Sequence, residues 1–235
     1  GAVWYYTNND NGFTVCDCLI TNCVGVNSLF HRGRLFRSRV IDCEASILIN
    51  RGILSSSLVS GNRLGCYPNN GATLFQTTFS GNVKRKGESE FVAWYKADYA
   101  YNCVVVDPIT AIRSKAGGSE LTAVGNWVWG NTGGTSDLTP YCTHADPVLA
   151  NPAAGDYRLS NASPAIGHGM APAQLWANFY MYAGSDINYG PLLVAADGTL
   201  TPGCYQSGLP MVVDLPANKG LLYSDGAGQP VSDRL

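Results

Sequence analysis

Basic side chains are concentrated in one stretch of the chain, where they could bind an anionic ligand. Residues 31–86 contain nine lysines and arginines against only Asp42 and Glu44. The planar guanidinium group of arginine can hold a carboxylate or a sulfate with two parallel hydrogen bonds. The nine residues are Arg32, Arg34, Arg37, Arg39, Arg51, Arg63, Lys84, Arg85 and Lys86. We predict that they contact a linear polyanion; the alternative is that they are solvated positions spread around the fold.

Aromatic residues next to the basic stretch could add a sugar-binding contact. Trp94 and Tyr95 follow Lys86 closely, and aromatic rings of this kind stack on the apolar faces of sugars. Trp127 and Trp129 share parity, so both point either into the core or out of it. A glycan fits this combination better than nucleic acid does, because the isoelectric point of the chain is only about 5.9.

Residues for catalysis or for a metal cofactor are sparse. No Asp-Asp or Asp-x-Asp pair occurs in the chain, and a Ca²⁺ site would need clustered carboxylates of that kind. The three histidines, His31, His144 and His168, are far apart, and no Gly-x-Ser-x-Gly motif is present. We therefore predict no cofactor and name no catalytic residue.

The eight cysteines allow two interpretations. Cys16, Cys18 and Cys23 lie within eight residues, but a structural zinc site needs four ligands and His31 is the only imidazole nearby. Small buried side chains are therefore the favoured interpretation. Cys23 and Cys43 are 20 residues apart and could form a disulfide. The even number of cysteines and the scarcity of lysine favour an exported, extracellular or cell-surface protein.

The composition indicates a folded chain built mainly of β-strands. Hydrophobic residues make up 46% and charged residues 14% of the 235 residues, with a net charge of −2, which excludes a disordered chain. Glycine is abundant, with 27 residues, and no segment has the composition of a long helix. No apolar run is long enough to span a membrane.

Short β-prone segments that end in small polar residues recur at intervals of about 20 residues. They are Cys18–Cys23, Arg39–Cys43, Ser57–Asn62 and Thr78–Asn82, with weaker copies near residues 104 and 124. This period is too short for a propeller blade, but it suits one coil of a solenoid. We predict an all-β, right-handed, single-stranded parallel β-helix; a β-sandwich with coincidental spacing is the alternative.

The repeat also predicts which residues lie inside and which parts project. Ile20, Val40, Leu58 and Phe79, or the residue adjacent to each, should stack in the interior, and asparagines at the corners should form ladders of amides. The charged segment 84–90 should leave the coil as a loop. Residues 3–6 should form an open edge that pairs with earlier coils of a parent protein or with a second copy.

The last part of the chain resembles the closing segment of bacterial secreted parallel β-helix proteins of the pectate-lyase-like superfamily. The matching segments are Asp146-Pro147-Val148-Leu149, Gly155-Asp156-Tyr157-Arg158-Leu159 and Ser163-Pro164-Ala165-Ile166-Gly167-His168-Gly169. Weaker similarity continues through residues 186–191 and 202–206. His168 replaces the usual aspartate, and Gln206 replaces the usual glutamate, so an ion pair found in relatives is in doubt.

The resemblance and the repeat together divide the chain. Residues 1–145 should form about six coils of an N-terminally truncated helix, and residues 146–235 a non-repeating C-terminal cap packed on the helix end. The resemblance implies a secreted or cell-surface bacterial module. We predict that it binds glycan or matrix as an adhesin does, without catalysis. The alternatives are a fragment of a polysaccharide lyase or glycoside hydrolase, and a structural stalk.

Overall fold

The fold is seen in a computed structural model of the chain. The residues that the structure describes are 14–25, 27–69, 71–93, 99–112, 122–130, 142–170, 186–188, 200–205, 222–224 and 230–232. The predicted edge at residues 3–6 and the aromatic pair Trp94 and Tyr95 lie outside them.

Short strands follow one another around a three-sided coil. Coil 1 contains β1 (Thr14–Cys16), β2 (Leu19–Thr21) and β3 (Ser28–His31), and coil 2 contains β4 (Arg34–Phe36), β5 (Arg39–Ile41) and β6 (Glu44–Asn50). Coil 3 contains β7 (Ile53–Ser55), β8 (Leu58–Ser60) and β9 (Arg63–Asn69). Coil 4 contains β10 (Thr73–Phe75), β11 (Thr78–Ser80), β12 (Val83–Lys84) and β13 (Val92–Ala93).

The later coils have fewer strands among the described residues. Coil 5 contains β14 (Tyr99–Tyr101), β15 (Val104–Val106) and β16 (Ala111–Ile112), and coil 6 contains β17 (Thr122–Val124) and β18 (Asn126–Trp129). After β19 (Cys142–Thr143) come the antiparallel pair β20 (Leu149–Asn151) and β21 (Asp156–Leu159), separated by a 3₁₀ turn at Pro152–Ala154. A second antiparallel pair is formed by β22 (Leu222–Ser224) and β23 (Pro230–Ser232).

The coils stack into three parallel sheets, which confirms the predicted parallel β-helix. Sheet A has the order β1-β4-β7-β10-β14-β17, sheet B runs from β2 to β19, and sheet C runs from β3 to β16. Neighbouring strands are in register, with Arg34 opposite Ile53 and Ile53 opposite Thr73. Stacked strands of this kind are about 4.8 Å apart, so equivalent side chains recur along the axis at that interval.

The interior is a column of apolar side chains, and its register shows which residue of each predicted adjacent pair faces inward. The column on sheet B consists of Ile20, Val40, Val59, Phe79, Val105 and Val128. Val59 therefore takes the inward position, and the adjacent Leu58 faces outward. Leu58 is still buried, because Ile187 and Cys204 pack against it from the C-terminal segment.

Polar ladders line two of the corners, as predicted for the asparagines. Where sheet B turns into sheet C, the backbone N–H of each coil donates to a side chain of the next. Asn62 N donates to Asn82 Oδ1 (3.0 Å), and Asn82 N donates to Asp107 Oδ1 (2.8 Å). Cys23 and Cys43 are the first two positions of this ladder, with Cys23 N donating to Cys43 Sγ at 3.4 Å. These bonds satisfy buried backbone donors at a turn where a strand ladder cannot.

The described residues between 157 and 205 lie along the side of the solenoid. The prediction places this segment on the helix end, whereas its described contacts are with the outer face of sheet B and with Phe75 and Tyr101 of sheet A. Trp127 and Val104 pack against Leu159 and Ala165. Farther along, Cys204 N donates to Thr78 Oγ1 at 3.0 Å. These residues thus cover part of the apolar outer face of sheet B, while Leu19 and Trp129 on the same face are 63% and 46% exposed. Among the described residues, no helix is long and apolar enough to cross a membrane.

Candidate functional site

The nine predicted basic residues do not form a single row. They lie on all three sheets and at two of the corners, so one straight polyanion cannot contact them all. Three lie together where sheet C turns into sheet A, and four lie on sheet C or the loop that follows it. The remaining two, Arg37 and Arg39, are engaged in contacts within the fold.

Arg37 and Arg39 hold parts of the protein together. Arg37 lies at the corner between sheets A and B and forms a two-pronged ion pair with Asp17 of the preceding coil (Nε–Oδ1 2.9 Å, Nη2–Oδ2 3.1 Å). Arg39 projects from sheet B, where its Nη2 donates to Asn188 Oδ1 at 3.3 Å. Arg37 therefore links two consecutive coils, and Arg39 links sheet B to the C-terminal segment.

The loop after β12 turns back onto sheet C. Arg85 Nε donates to Glu44 Oε1 (3.2 Å) and its Nη1 donates to Ser46 Oγ (2.9 Å), while Ser46 Oγ donates to Glu88 Oε1 (2.7 Å). Glu88 lies over Gly65, where a Cβ atom would come within 2.9 Å of its carboxyl carbon. The predicted loop therefore starts later than expected, because Lys84 ends β12, which pairs with β9, and its Nζ donates to Ser89 O at 3.4 Å. The side chains of Lys84 and Lys86 are nevertheless exposed. Arg63 is exposed at the start of β9.

The three remaining arginines and one histidine form the basic corner, defined as His31, Arg32, Arg34 and Arg51. Arg32 and Arg51 occupy equivalent positions on consecutive turns of the chain, and both have left-handed backbone conformations (φ 53° and 54°). Their N–H groups donate to Asn50 O (2.8 Å) and Asn69 O (3.0 Å), which fixes the corner to the strand below it. Arg34 begins the next strand, β4. Arg51 is exposed and makes no ion pair with any described residue.

The positive charge of the basic corner affects the pKa of His31. This residue ends β3, where it is in register with Asn50 of β6. Partial burial, followed by the charges of Arg32 and Arg51, lowers the pKa of His31 below its ordinary value of 6.5. The corner therefore combines guanidinium groups, an imidazole and the neighbouring amide of Asn50. Sequence reasoning considered His31 only as a zinc ligand and missed this role; its position directly before Arg32 was the available signal.

The aromatic residues are divided between the faces of the solenoid. Trp127 and Trp129 both point outward from sheet B; Trp127 is covered by the C-terminal segment, and Trp129 is 46% exposed. On sheet A, Tyr99 is 39% exposed and stacks on Tyr101, with ring centroids 5.9 Å apart. Neither exposed ring lies at the basic corner.

The cysteines are free thiols in this structure. Cys16 and Cys18, which we expected to be buried, are exposed on the first described coil. Cys23 and Cys43 are adjacent in the corner ladder, and burial raises the pKa of Cys43 to about 11. Within the described residues, no group of three or more His, Cys, Asp or Glu side chains could hold a metal ion.

No protein-family model, curated protein sequence or solved structure matches the chain. The resemblance of residues 146–206 to the closing segment of pectate-lyase-like proteins therefore stays a prediction. What the structure does establish is a parallel β-solenoid with about five complete turns and part of a sixth. The basic corner is one part of its surface where charges repeat from coil to coil.

Proposed function

We propose that this protein is an exported, non-catalytic module that binds an anionic glycan at the basic corner. One observation carries the proposal: Arg32 and Arg51 are equivalent residues on consecutive turns, with Arg34 beside them at the start of sheet A. Parallel coils hold equivalent side chains about 4.8 Å apart along a rigid axis. A linear glycan presents its carboxylates or sulfates at intervals along one axis as well.

The chemistry of the corner suits such a ligand. Arginine binds carboxylates and sulfates through paired, charge-assisted hydrogen bonds, and the amide of Asn50 offers further bonds to sugar hydroxyls. The backbone of the corner is held by the Asn50 and Asn69 carbonyls, so little ordering of the main chain is needed on binding. An adhesin-like role follows from a rigid, repeated surface that presents these groups.

The test is retention on immobilised heparin and polygalacturonate at low salt. We expect Arg51→Ala to weaken binding about tenfold, because a hydrogen bond to a charged group contributes about 1.5 kcal/mol. Arg63→Ala is the matched control, since Arg63 is also exposed but lies at the far end of β9, about 20 Å away by strand length. Its affinity should stay within about twofold of the unmodified protein.

Salt and product analysis complete the test. Binding should weaken steeply with salt, because the Debye length falls from about 10 Å at 0.1 M to about 3 Å at 1 M. Binding to heparin alone would show that sulfate is the group recognised. Binding to both polymers would show that carboxylate groups are sufficient for recognition. Elution in the void volume, or equal losses in the Arg51 and Arg63 variants, would overturn the proposal. Formation of unsaturated uronate products would contradict the non-catalytic part.

A further inference from the structure

We propose that His31 makes glycan binding at the basic corner proton-dependent, taking up a proton from solvent when an anionic group occupies the corner. This inference rests on the proposed function, because it concerns the same surface. It adds a regulatory property: the protein should hold its glycan more tightly in mildly acidic surroundings than at neutral pH.

The position of His31 brings its ring to the charged surface. The neighbouring Phe30 faces the interior and is only 8% exposed, so His31, the next residue of the strand, faces outward. In register with it on sheet C are Asn50 and then Asn69, both polar and partly exposed. An anion bound between the arginines of consecutive coils would therefore be near the imidazole.

Two charged groups that act on His31 are cationic. Among the described residues they are Arg32, the next residue in the chain, and Arg51, from the equivalent corner of the next coil. Two positive neighbours oppose protonation of the ring, and partial burial opposes it further. At neutral pH the unbound protein thus has a mostly neutral His31.

A bound anion reverses this balance. A carboxylate or sulfate between the arginines offsets their charge and offers the imidazolium a direct partner, so the pKa of His31 rises on binding. Between the lower pKa of the free protein and the higher pKa of the complex, binding is accompanied by proton uptake. By linkage, the affinity must then increase as the pH falls through that interval.

The experiment measures the affinity for dextran sulfate at pH 7.5 and pH 5.5 at constant ionic strength. Dextran sulfate is suitable because its charge does not change over this range. We expect the unmodified protein to bind about three- to tenfold more tightly at pH 5.5, since a rise of one pKa unit allows at most a tenfold gain. His31→Gln should bind with nearly equal affinity at both pH values. His168→Gln, which changes an exposed histidine of the C-terminal segment, is the matched control and should behave like the unmodified protein.

Nuclear magnetic resonance titration of the histidine ring protons provides a second readout that needs no variant in the site. The His31 pKa should rise when dextran sulfate is added. The inference is overturned if His31→Gln keeps the full pH dependence, or if the His31 pKa is unchanged on binding. Absence of binding at both pH values would instead overturn the proposed function.

Discussion

Asp107 is a carboxyl group in the interior of the solenoid, and its replacement by asparagine should stabilise the protein at neutral pH. The residue is 1% exposed and ends the corner ladder of Asn62 and Asn82. It accepts hydrogen bonds from Asn82 N and Nδ2, both at 2.8 Å, and from the hydroxyl of Tyr67. Despite these three donors, burial raises the pKa of Asp107 from 3.8 to about 6.

The size of the effect follows from the two pKa values. Between pH 3.8 and 6 the folded protein holds a proton on Asp107 that the unfolded chain releases, so the free energy of unfolding falls as the pH rises through this interval. The full difference is about 3 kcal/mol by pH 7, since each pKa unit corresponds to about 1.4 kcal/mol. Asparagine cannot ionise, and it would keep an acceptor for the Asn82 N–H. Its amide could donate to a backbone carbonyl, as Asn82 Nδ2 donates to Val59 O at 2.9 Å.

Urea denaturation followed by circular dichroism, from pH 4 to pH 7.5, measures this effect. The difference in unfolding free energy between Asp107→Asn and the unmodified protein should be small at pH 4 and grow to about 3 kcal/mol at pH 7. Asp42→Asn is the control, because Asp42 is exposed at the same type of corner in coil 2. The reasoning is refuted if Asp107→Asn is less stable than the unmodified protein at pH 7, or if the difference does not depend on pH.

Two further predictions concern packing and thiol accessibility. Leu58→Ala should lower the free energy of unfolding by about 2–5 kcal/mol, because it removes the side chain that packs against Ile187 and Cys204 of the C-terminal segment. Proteolysis of that segment should increase as well. A loss below about 0.5 kcal/mol would contradict the outward packing of Leu58. Iodoacetamide should modify the exposed Cys16 and Cys18 in the folded protein but Cys103 only in denaturant, since burial raises the pKa of Cys103 to about 12. Mass spectrometry of labelled peptides checks this order, and labelling of Cys103 at the rate of Cys18 would contradict it.

The coil period was predictable from the sequence because interior packing repeats with every turn. Val40 and Phe79 are separated by two coils and both lie in the interior column. The sequence was a weaker guide to which residue of an adjacent pair faces the interior. Leu58 and Val59 are both apolar, and the outward position of Leu58 is buried by a segment more than a hundred residues later. A period-two pattern cannot distinguish the inner face from an outer face that is covered in this way.

The distribution of the arginines shows why basic residues that are close in sequence need not share one surface of the fold. In coil 2 the strands begin at residues 34, 39 and 44, so a separation of five residues places two side chains on different sheets. Arg34 and Arg39 are close in sequence, but Arg34 projects from the outer face of sheet A and Arg39 from the outer face of sheet B. Contacts such as that of Arg39 with Asn188 depend on the distant C-terminal segment and leave no local pattern.

The same geometry explains why the basic corner is the part of the predicted set that the fold brings together. On a solenoid, two residues share a surface when their separation equals the coil length, whatever lies between them. Arg32 and Arg51 are 19 residues apart, which matches the step from β4 to β7, and they meet at one corner. Arg32 and Arg37 are only five residues apart, yet they occupy different corners. A ligand that follows the axis would therefore contact side chains separated by one period, such as Arg32 and Arg51. His31 and its equivalent Asn50 form the row directly beside these arginines, since each precedes one of them.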